Sequence, residues 1–494
     1  MTEVNSSKYF FQTLLVIVIS IISFLAFKTF LPKEIFSTKN IHSDNIVVDS
    51  LMLEAIAEQS NSPVLASVND NQIDSLSQNL TPYISESGIQ FPTETFDDYK
   101  GYQYLEPLYE KLFHLENKKK ENVRIAYFGD SMTDGDLIVQ DFRIYLQEKF
   151  GGKGVGFVNI TSESAANRGS IRHEYSNNWT TKSYMTTNKP PKPFGVNGHI
   201  FFANDSSNTA WVHYKANYTR FSKELNHPTL FYGKSSNKHG KIVYSIGTDT
   251  LVQELTPQAL FNSTVLTEKS VKNLKVDFKK ADSIPIYGFN FDDGEGVHVD
   301  NFSNRGNSGL PLGSFDVATM RAFHATLNYD LIVLQYGTNV LDSKSFEYAW
   351  YEKRMQKVVQ HLHNCFPGVA ILIVSIGDKS TKYDMEMKTD SAVIPLLTAQ
   401  KQYAIRSQSG FVNLYTLMGG ENSMVKWVEE QPSKATKDYT HLNYRGAKEA
   451  AKLIFTQLND GYEIYKKIRK KQQELPTTIT KDTILAKKDS IHEN

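Results

Sequence analysis

The stretch IAYFGDSMTDGD, residues 125–136, sets one serine, Ser131, among small and acidic residues at the end of an apolar run. A serine hydroxyl is a poor nucleophile until an imidazole takes its proton, and the imidazole works better when a carboxylate fixes its tautomer and stabilises its charged form. Both partners occur close together far downstream, Asp438 and His441 in KDYTHLNYRGAKEAAKLI. Acyl transfer also needs donors aimed at the developing oxyanion. Asn339 in LIVLQYGTN offers a side-chain amide, and Gly306 in DNFSNRGNSGL offers a backbone N–H in a flexible turn. Taken alone, Gly-Asp-Ser is a weak signal, and a capping serine explains it equally well.

These residues need a frame that brings them together. The runs at 123–128, 330–335, 370–376 and 410–415 are short and apolar, as buried strands are. Amphipathic stretches follow the first (DLIVQDFRIYLQEKF) and precede the third (FEYAWYEKRMQKVVQHLH), and such alternation predicts a parallel sheet covered on both faces. Ser131 and Asn339 then emerge at the carboxyl edge of that sheet, where open α/β folds keep their crevices. A helix directly after Ser131 would aim its unpaired N–H groups at an oxyanion formed there. The helix after His441 is expected to turn Tyr444, Ala447, Ala451, Ile454, Phe455 and Leu458 toward the core. Asp378 in VSIGDKST borders the crevice or caps a loop.

Between about 172 and 300 the pattern changes to Tyr, Phe, Thr, Asn and Gly with frequent turn signals, which predicts a β-sandwich inserted into the α/β domain. Its Trp179, Trp211 and Tyr214 are read as core rather than as a sugar platform. Asp292, Asp293 and Glu295 in NFDDGEG lack a regular calcium-loop spacing and are read as a hairpin turn. His361 and His363 do not share a helix face, which argues against a metal site.

The ends and the composition bear on location. From Tyr9 to Leu31 the chain is almost wholly apolar and long enough to cross a bilayer, so residues 1–36 are expected to be an uncleaved membrane anchor. Residues 37–95 are polar and read as a flexible tether. The expected order is then an α/β part at 96–171, the insert at 172–286, the rest of the α/β part at 287–462 and a charged tail at 463–494. Lysine plus arginine and aspartate plus glutamate both number 54, so no net charge favours nucleic acid or an anionic membrane surface. The single cysteine, Cys365, can form no intrachain disulfide and is expected to be buried.

GDSMTDG, NRGNSG, GTN and DYTH, in this order, resemble the blocks of the GDSL/SGNH hydrolase superfamily. GTNV stands where Gly-x-Asn-Asp is usual, but the asparagine itself is present. The resemblance implies a flavodoxin-like three-layer α/β fold, a Ser131–His441–Asp438 triad, and an oxyanion hole of the Ser131 and Gly306 N–H groups with Asn339. It implies no metal or organic cofactor. The β-rich insert between the first and second blocks resembles the carbohydrate-binding-like module of envelope peptidoglycan O-acetylesterases. On that resemblance the chain is expected to remove O-acetyl groups from a glycan outside the cytoplasm, next to other polysaccharide-modifying envelope proteins. An O-acetyltransferase and a non-catalytic glycan-binding protein are the alternatives.

Overall fold

The computed structural model describes residues 14–20, 23, 49, 51–52 and 88–474, apart from 119, 188, 205–208, 218–222 and 343–345. The chain divides into two units, 1–47 and 48–494. In the first, residues 14–20 and 23 are helical and exposed. Among the described residues no helix is long and apolar enough to cross a membrane; most of the apolar stretch 9–31, expected to do so, lies outside them.

The second unit opens with helix α1 (Glu106–Glu116), strand β1 (Asn122–Gly129), helix α2 (Val139–Phe150) and β2 (Gly154–Val158). The strands β3 (Ile171–Tyr175), β4 (Trp179–Ser183), β5 (His199–Ala203), β6 (Ala210–Ala216), β7 (Thr229–Gly233) and β8 (Lys241–Ile246) follow. They continue as β9 (Asp249–Glu254), β10 (Phe261–Val265), β11 (Asn273–Lys279) and β12 (Ile286–Asp292). Then come β13 (Gly296–Asn301), α3 (Val317–Leu327), β14 (Tyr329–Gln335), α4 (Ala349–Cys365) and β15 (Ala370–Val374). The hairpin β16 (Ser380–Tyr383) and β17 (Glu386–Thr389) leads to α5 (Val393–Arg406), β18 (Gly410–Val412), α6 (Leu414–Met418), α7 (Ser423–Glu429) and α8 (Tyr444–Glu474).

The central sheet is parallel throughout, with strands in the order β13-β1-β14-β15-β18. The chain builds outward from β1 in both directions, so the connections part between β1 and β14 and open a crevice at their carboxyl ends. Both faces of the sheet are covered, which is why its strands are continuously apolar. Ile125 and Tyr127 of β1, with Leu331 and Val333 of β14, enter one core with α1, α2 and α8. Ala126 and Phe128, with Ile332 and Leu334, enter the other with α3, α4 and α5. Helix α8 presents Ala447, Ala451, Ile454, Leu458, Tyr462 and Tyr465 to the first core. Tyr444, expected on that side, stands at the start of the helix and is exposed.

The β-rich segment forms two antiparallel sheets, β10-β7-β12-β5-β4 with β2 beside β12, and β3-β6-β11-β8-β9. They share a core in which Val212, Tyr214, Val276 and Phe278 meet Phe201, Leu230, Ile286 and Phe289. The opposite face of the first of these sheets is apolar too. Phe157, Ile200, Phe231, Phe261 and Tyr287 join the core beneath α3, with Phe261 and Tyr287 ring centroids 4.2 and 5.1 Å from Phe323. Burial on both sides makes every residue of β12 buried. The turn expected in NFDDGEG is not that of a hairpin: β12 and β13 belong to different sheets, and the chain changes sheet there.

A buried ionic cluster fastens this corner. Arg124 of β1 donates Nη1–H to Asp300 of β13 at 2.9 Å and pairs through Nη2 with Asp292 of β12. Asp300 also accepts from the Phe157 N–H and the Tyr329 hydroxyl, at 2.9 and 2.8 Å. Burial alone would raise the pKa of Asp292, but the guanidinium beside it holds it down at about 2. Asp292 is thus committed to Arg124.

Candidate active site

Strand β1 ends at Gly129, where a Cβ would collide with the Thr133 hydroxyl, so the chain can turn tightly only without one. The Thr133 and Asp134 N–H groups then donate back to the Asp130 carbonyl, at 3.3 and 3.1 Å. Ser131 sits in this turn. The expected helix does not start beside it: a single 3-10 turn at Asp134–Asp136 intervenes, and α2 begins at Val139. Gly135, Asp136 and Ile138 have φ of 66, 67 and 62°, which breaks any continuous helix. Asp136 is held in that conformation by Arg143 at 2.9 and 3.1 Å, by Ser170 at 2.5 Å and by Asn301 at 3.2 Å.

The histidine comes from a loop closed on itself. Ala435 and Leu442 form a bridge, and the Thr436 N–H donates to the His441 carbonyl at 2.9 Å. Within it, Asp438 Oδ1 accepts from Thr436 Oγ1 at 2.6 Å and from the Thr440 and His441 N–H groups at 3.0 Å each. Its Oδ2 lies 2.7 Å from His441 Nδ1, and His441 Nε2 lies 3.0 Å from Ser131 Oγ. The carboxylate fixes the tautomer: Nδ1 donates to it, leaving Nε2 as acceptor toward the serine. Burial would push the pKa of Asp438 up, yet the hydrogen bonds from His441 and Thr436 hold it below the usual carboxylate range. It therefore stays ionised below the usual carboxylate range.

The loop after β13 runs beside the serine turn. The Phe302 N–H donates to the Tyr127 carbonyl at 2.8 Å and the Asn304 N–H to the Gly129 carbonyl at 3.0 Å, extending the β1 pairing past the strand ends. Ser303 and Thr133 hydroxyls meet at 2.7 Å. Gly306 follows with φ 74°, a turn conformation that suits glycine. From the end of β14, Asn339 Nδ2 donates one hydrogen to the Asn307 carbonyl at 3.2 Å, and its amide keeps a second N–H. Ser131, His441 and Asp438 are therefore in direct contact in series, while Gly306 and Asn339 are joined through Asn307.

Several neighbours carry chemistry that sequence reasoning passed over. Asp130 is buried, accepts from the Met132 N–H at 2.9 Å, and has its pKa pushed up to about 6 by burial, against the pull of that N–H and of His441. Exposed Arg305 pairs with the largely buried Asp134 at 2.6 Å, and buried Ser164 donates to the same carboxylate at 2.8 Å, beside the serine turn. Tyr444 donates its hydroxyl to the Asn167 carbonyl at 2.6 Å. All but Ser164 and Tyr444 lie inside the motifs that drew attention to Ser131 and Gly306, so adjacency was the available signal.

Other residues singled out in the sequence lie elsewhere. Asp378 accepts from the Met424 N–H at 2.7 Å and caps α7 rather than lining the crevice. His361 donates Nε2–H to the Phe315 carbonyl at 2.9 Å. Cys365 is buried, its thiol pushed up to about 12 by desolvation. Tyr214 is core, and Trp179 packs edge-on against Phe278 at 5.0 Å.

No family model matches the sequence, and no curated protein matches it. Solved structures do. A peptidoglycan O-acetylesterase superposes with a TM-score of 0.59 at 20% identity, over 72% of this chain and 96% of that one. This chain shares that protein's fold. A carbohydrate esterase family 2 enzyme with its carbohydrate-binding domain, from Myceliophthora fergusii, matches at 12% identity over 59% of this chain and 99% of that one, with a TM-score of 0.24.

Proposed function

We propose that the protein is a serine esterase that removes O-acetyl groups from a glycan, peptidoglycan first among candidates. The observation that carries this reading is the unbroken series Ser131 Oγ, His441 and Asp438 at 3.0 and 2.7 Å, on the carboxyl edge of the sheet. Its fold, shared with a peptidoglycan O-acetylesterase, supports the substrate class. His441 takes the Ser131 proton as Oγ attacks the acetyl carbonyl, and Asp438 stabilises the imidazolium. The Ser131 and Gly306 N–H groups and the second Asn339 N–H hold the oxyanion. His441 then gives its proton to the departing sugar oxygen. A water deprotonated by the same imidazole attacks the acetyl-serine, the Oγ–acyl bond breaks as His441 returns the proton to Ser131 Oγ, and acetate leaves.

The side chains of His441 and Asp438 are 41% and 50% exposed, so the relay opens onto the surface, as a polymeric substrate requires. In this reading the β-rich sheets carry a carbohydrate-binding-like surface, and the apolar stretch 9–31 anchors the enzyme with its catalytic unit outside the cytoplasm. The test is acetate release by the purified protein from O-acetylated peptidoglycan and from acetylated xylan, with Ser131→Ala as control. Release from peptidoglycan that the control lacks supports the proposal. Equal release by wild type and control overturns it, and acetyl groups appearing on an added glycan acceptor in place of free acetate would make the protein a transferase.

A further inference from the structure

The polar segment 37–95, expected to be a tether, is built into the interior at Asp49, Met52, Ile89 and Phe91. Asp49 is fully buried, and Met52 is 5% exposed within the apolar cluster that holds Leu310, Leu312, Tyr336 and Tyr351; Leu51 packs against that cluster. Asp49 Oδ1 accepts from the Met52 N–H at 2.8 Å. Its Oδ2 accepts from the Ser308 N–H, also at 2.8 Å.

Ser308 lies two residues beyond Gly306, in the loop that also carries the acceptor for Asn339. The loop is gripped from three other sides. Tyr351 of α4 donates its hydroxyl to the Ser308 carbonyl at 2.7 Å. Asn307 donates Nδ2–H to the Tyr184 hydroxyl at 2.9 Å and accepts from the Gly309 N–H at 2.8 Å. Its carbonyl receives Asn339. A buried carboxylate is costly unless its hydrogen bonds are made, so Asp49 is held where it is by the backbone it binds.

We infer that Asp49 is a positioning residue: the segment before the catalytic unit clamps the oxyanion loop at Ser308, setting Gly306 through the backbone between them and Asn339 through Asn307. The inference rests on the esterase reading of the site. It makes the stretch around residue 49 part of the active enzyme rather than a passive linker. Because donors to an oxyanion act on the transition state more than on bound substrate, loosening them lowers kcat and leaves KM nearly unchanged.

The experiment uses full-length protein and 4-nitrophenyl acetate, with kcat expressed per serine titrated by a fluorophosphonate, so that unfolded molecules do not count. Asp49→Leu keeps the volume and removes the acceptor; Asp49→Asn keeps an oxygen acceptor. The expected result is a kcat lowered roughly tenfold or more in Asp49→Leu with KM changed less than about threefold, and at least half of the wild-type kcat retained in Asp49→Asn. Tyr351→Phe, which releases the other side of Ser308 and keeps the aromatic ring, is expected to lower kcat several-fold. Wild-type kcat in Asp49→Leu, a change in KM alone, or equal loss in the leucine and asparagine variants overturns the inference. Wild-type protein without turnover that Ser131→Ala abolishes refutes the esterase reading itself, a different outcome from an active wild type whose Asp49 variants match it.

Discussion

Near the start of β1 the Arg124 guanidinium lies between Asp292 and Asp300, all three side chains at most 6% exposed. Just past the end of the same strand, Ser131 meets His441 and Asp438, whose side chains are 41% and 50% exposed. Both sites, one near each end of β1, pair a nitrogen-bearing side chain with aspartate, but desolvation separates their uses. In the buried cluster neither partner can be removed without stranding a charge, so the group acts as a fastening between the central sheet and the β-rich sheets. At the open end water reaches the imidazole, as the proposed proton transfers require. Stability resides in the first, and under the proposed function turnover resides in the second.

The largest expected effect is at the open end. Ser131→Ala and His441→Ala should each lower kcat on an activated acetyl ester by about 10⁴-fold or more, with little change in Tm. A variant pair retaining more than a hundredth of wild-type kcat would remove the contrast between the two ends. Next comes the buried end. Arg124→Met should cost about 3–5 kcal/mol in denaturant unfolding, since two carboxylates lose their partner, while kcat per folded molecule stays near wild type. An Arg124→Met protein of wild-type stability would show that the cluster is no fastening. Asn339→Ala then separates oxyanion binding from proton transfer. It should lower kcat by about 10²–10³-fold, with stability read by Tm nearly unchanged.

The two regions also differ in how far sequence alone discloses them. Ser131 and Asn339 are legible because each follows an apolar run, and Gly306 and the Asp438/His441 pair because they stand in short motifs where chemistry restricts residue type. The strands β1, β14 and β15 were visible for a related reason, since burial on both faces demands continuous Val, Ile and Leu. The Arg124 cluster was not visible. Its partners lie far along the chain, and Asp292 looks like any turn residue until β12 is known to end against β1. Asp49 is hidden more deeply, because a single aspartate in a polar stretch carries no periodicity and its meaning comes wholly from Ser308. The displaced start of α2 was misread since helix-compatible residues follow Ser131, and only the Asp136 contacts with Arg143, Ser170 and Asn301 reveal the kink.

The smallest predicted effect turns on two aspartates of the open end that titrate in opposite senses. Asp438 has its pKa lowered on folding, so its contribution is present above the unfolded value of 3.8 and is lost as the pH falls below it. Asp130 has its pKa raised from 3.8 to about 6, so the native state holds a proton that the unfolded chain has released. Between those values stability must therefore fall as pH rises, by about 2–3 kcal/mol if Asp130 acted alone. Asp130→Asn keeps an oxygen acceptor for the Met132 N–H and removes the titration. Urea unfolding followed from pH 4 to 7 should then show the difference in stability between Asp130→Asn and wild type growing toward neutral pH and levelling off above about 6.5. A difference that is constant across this range would mean that Asp130 carries the same charge folded and unfolded. The site would then hold one kind of aspartate, stabilised by its neighbours, instead of two.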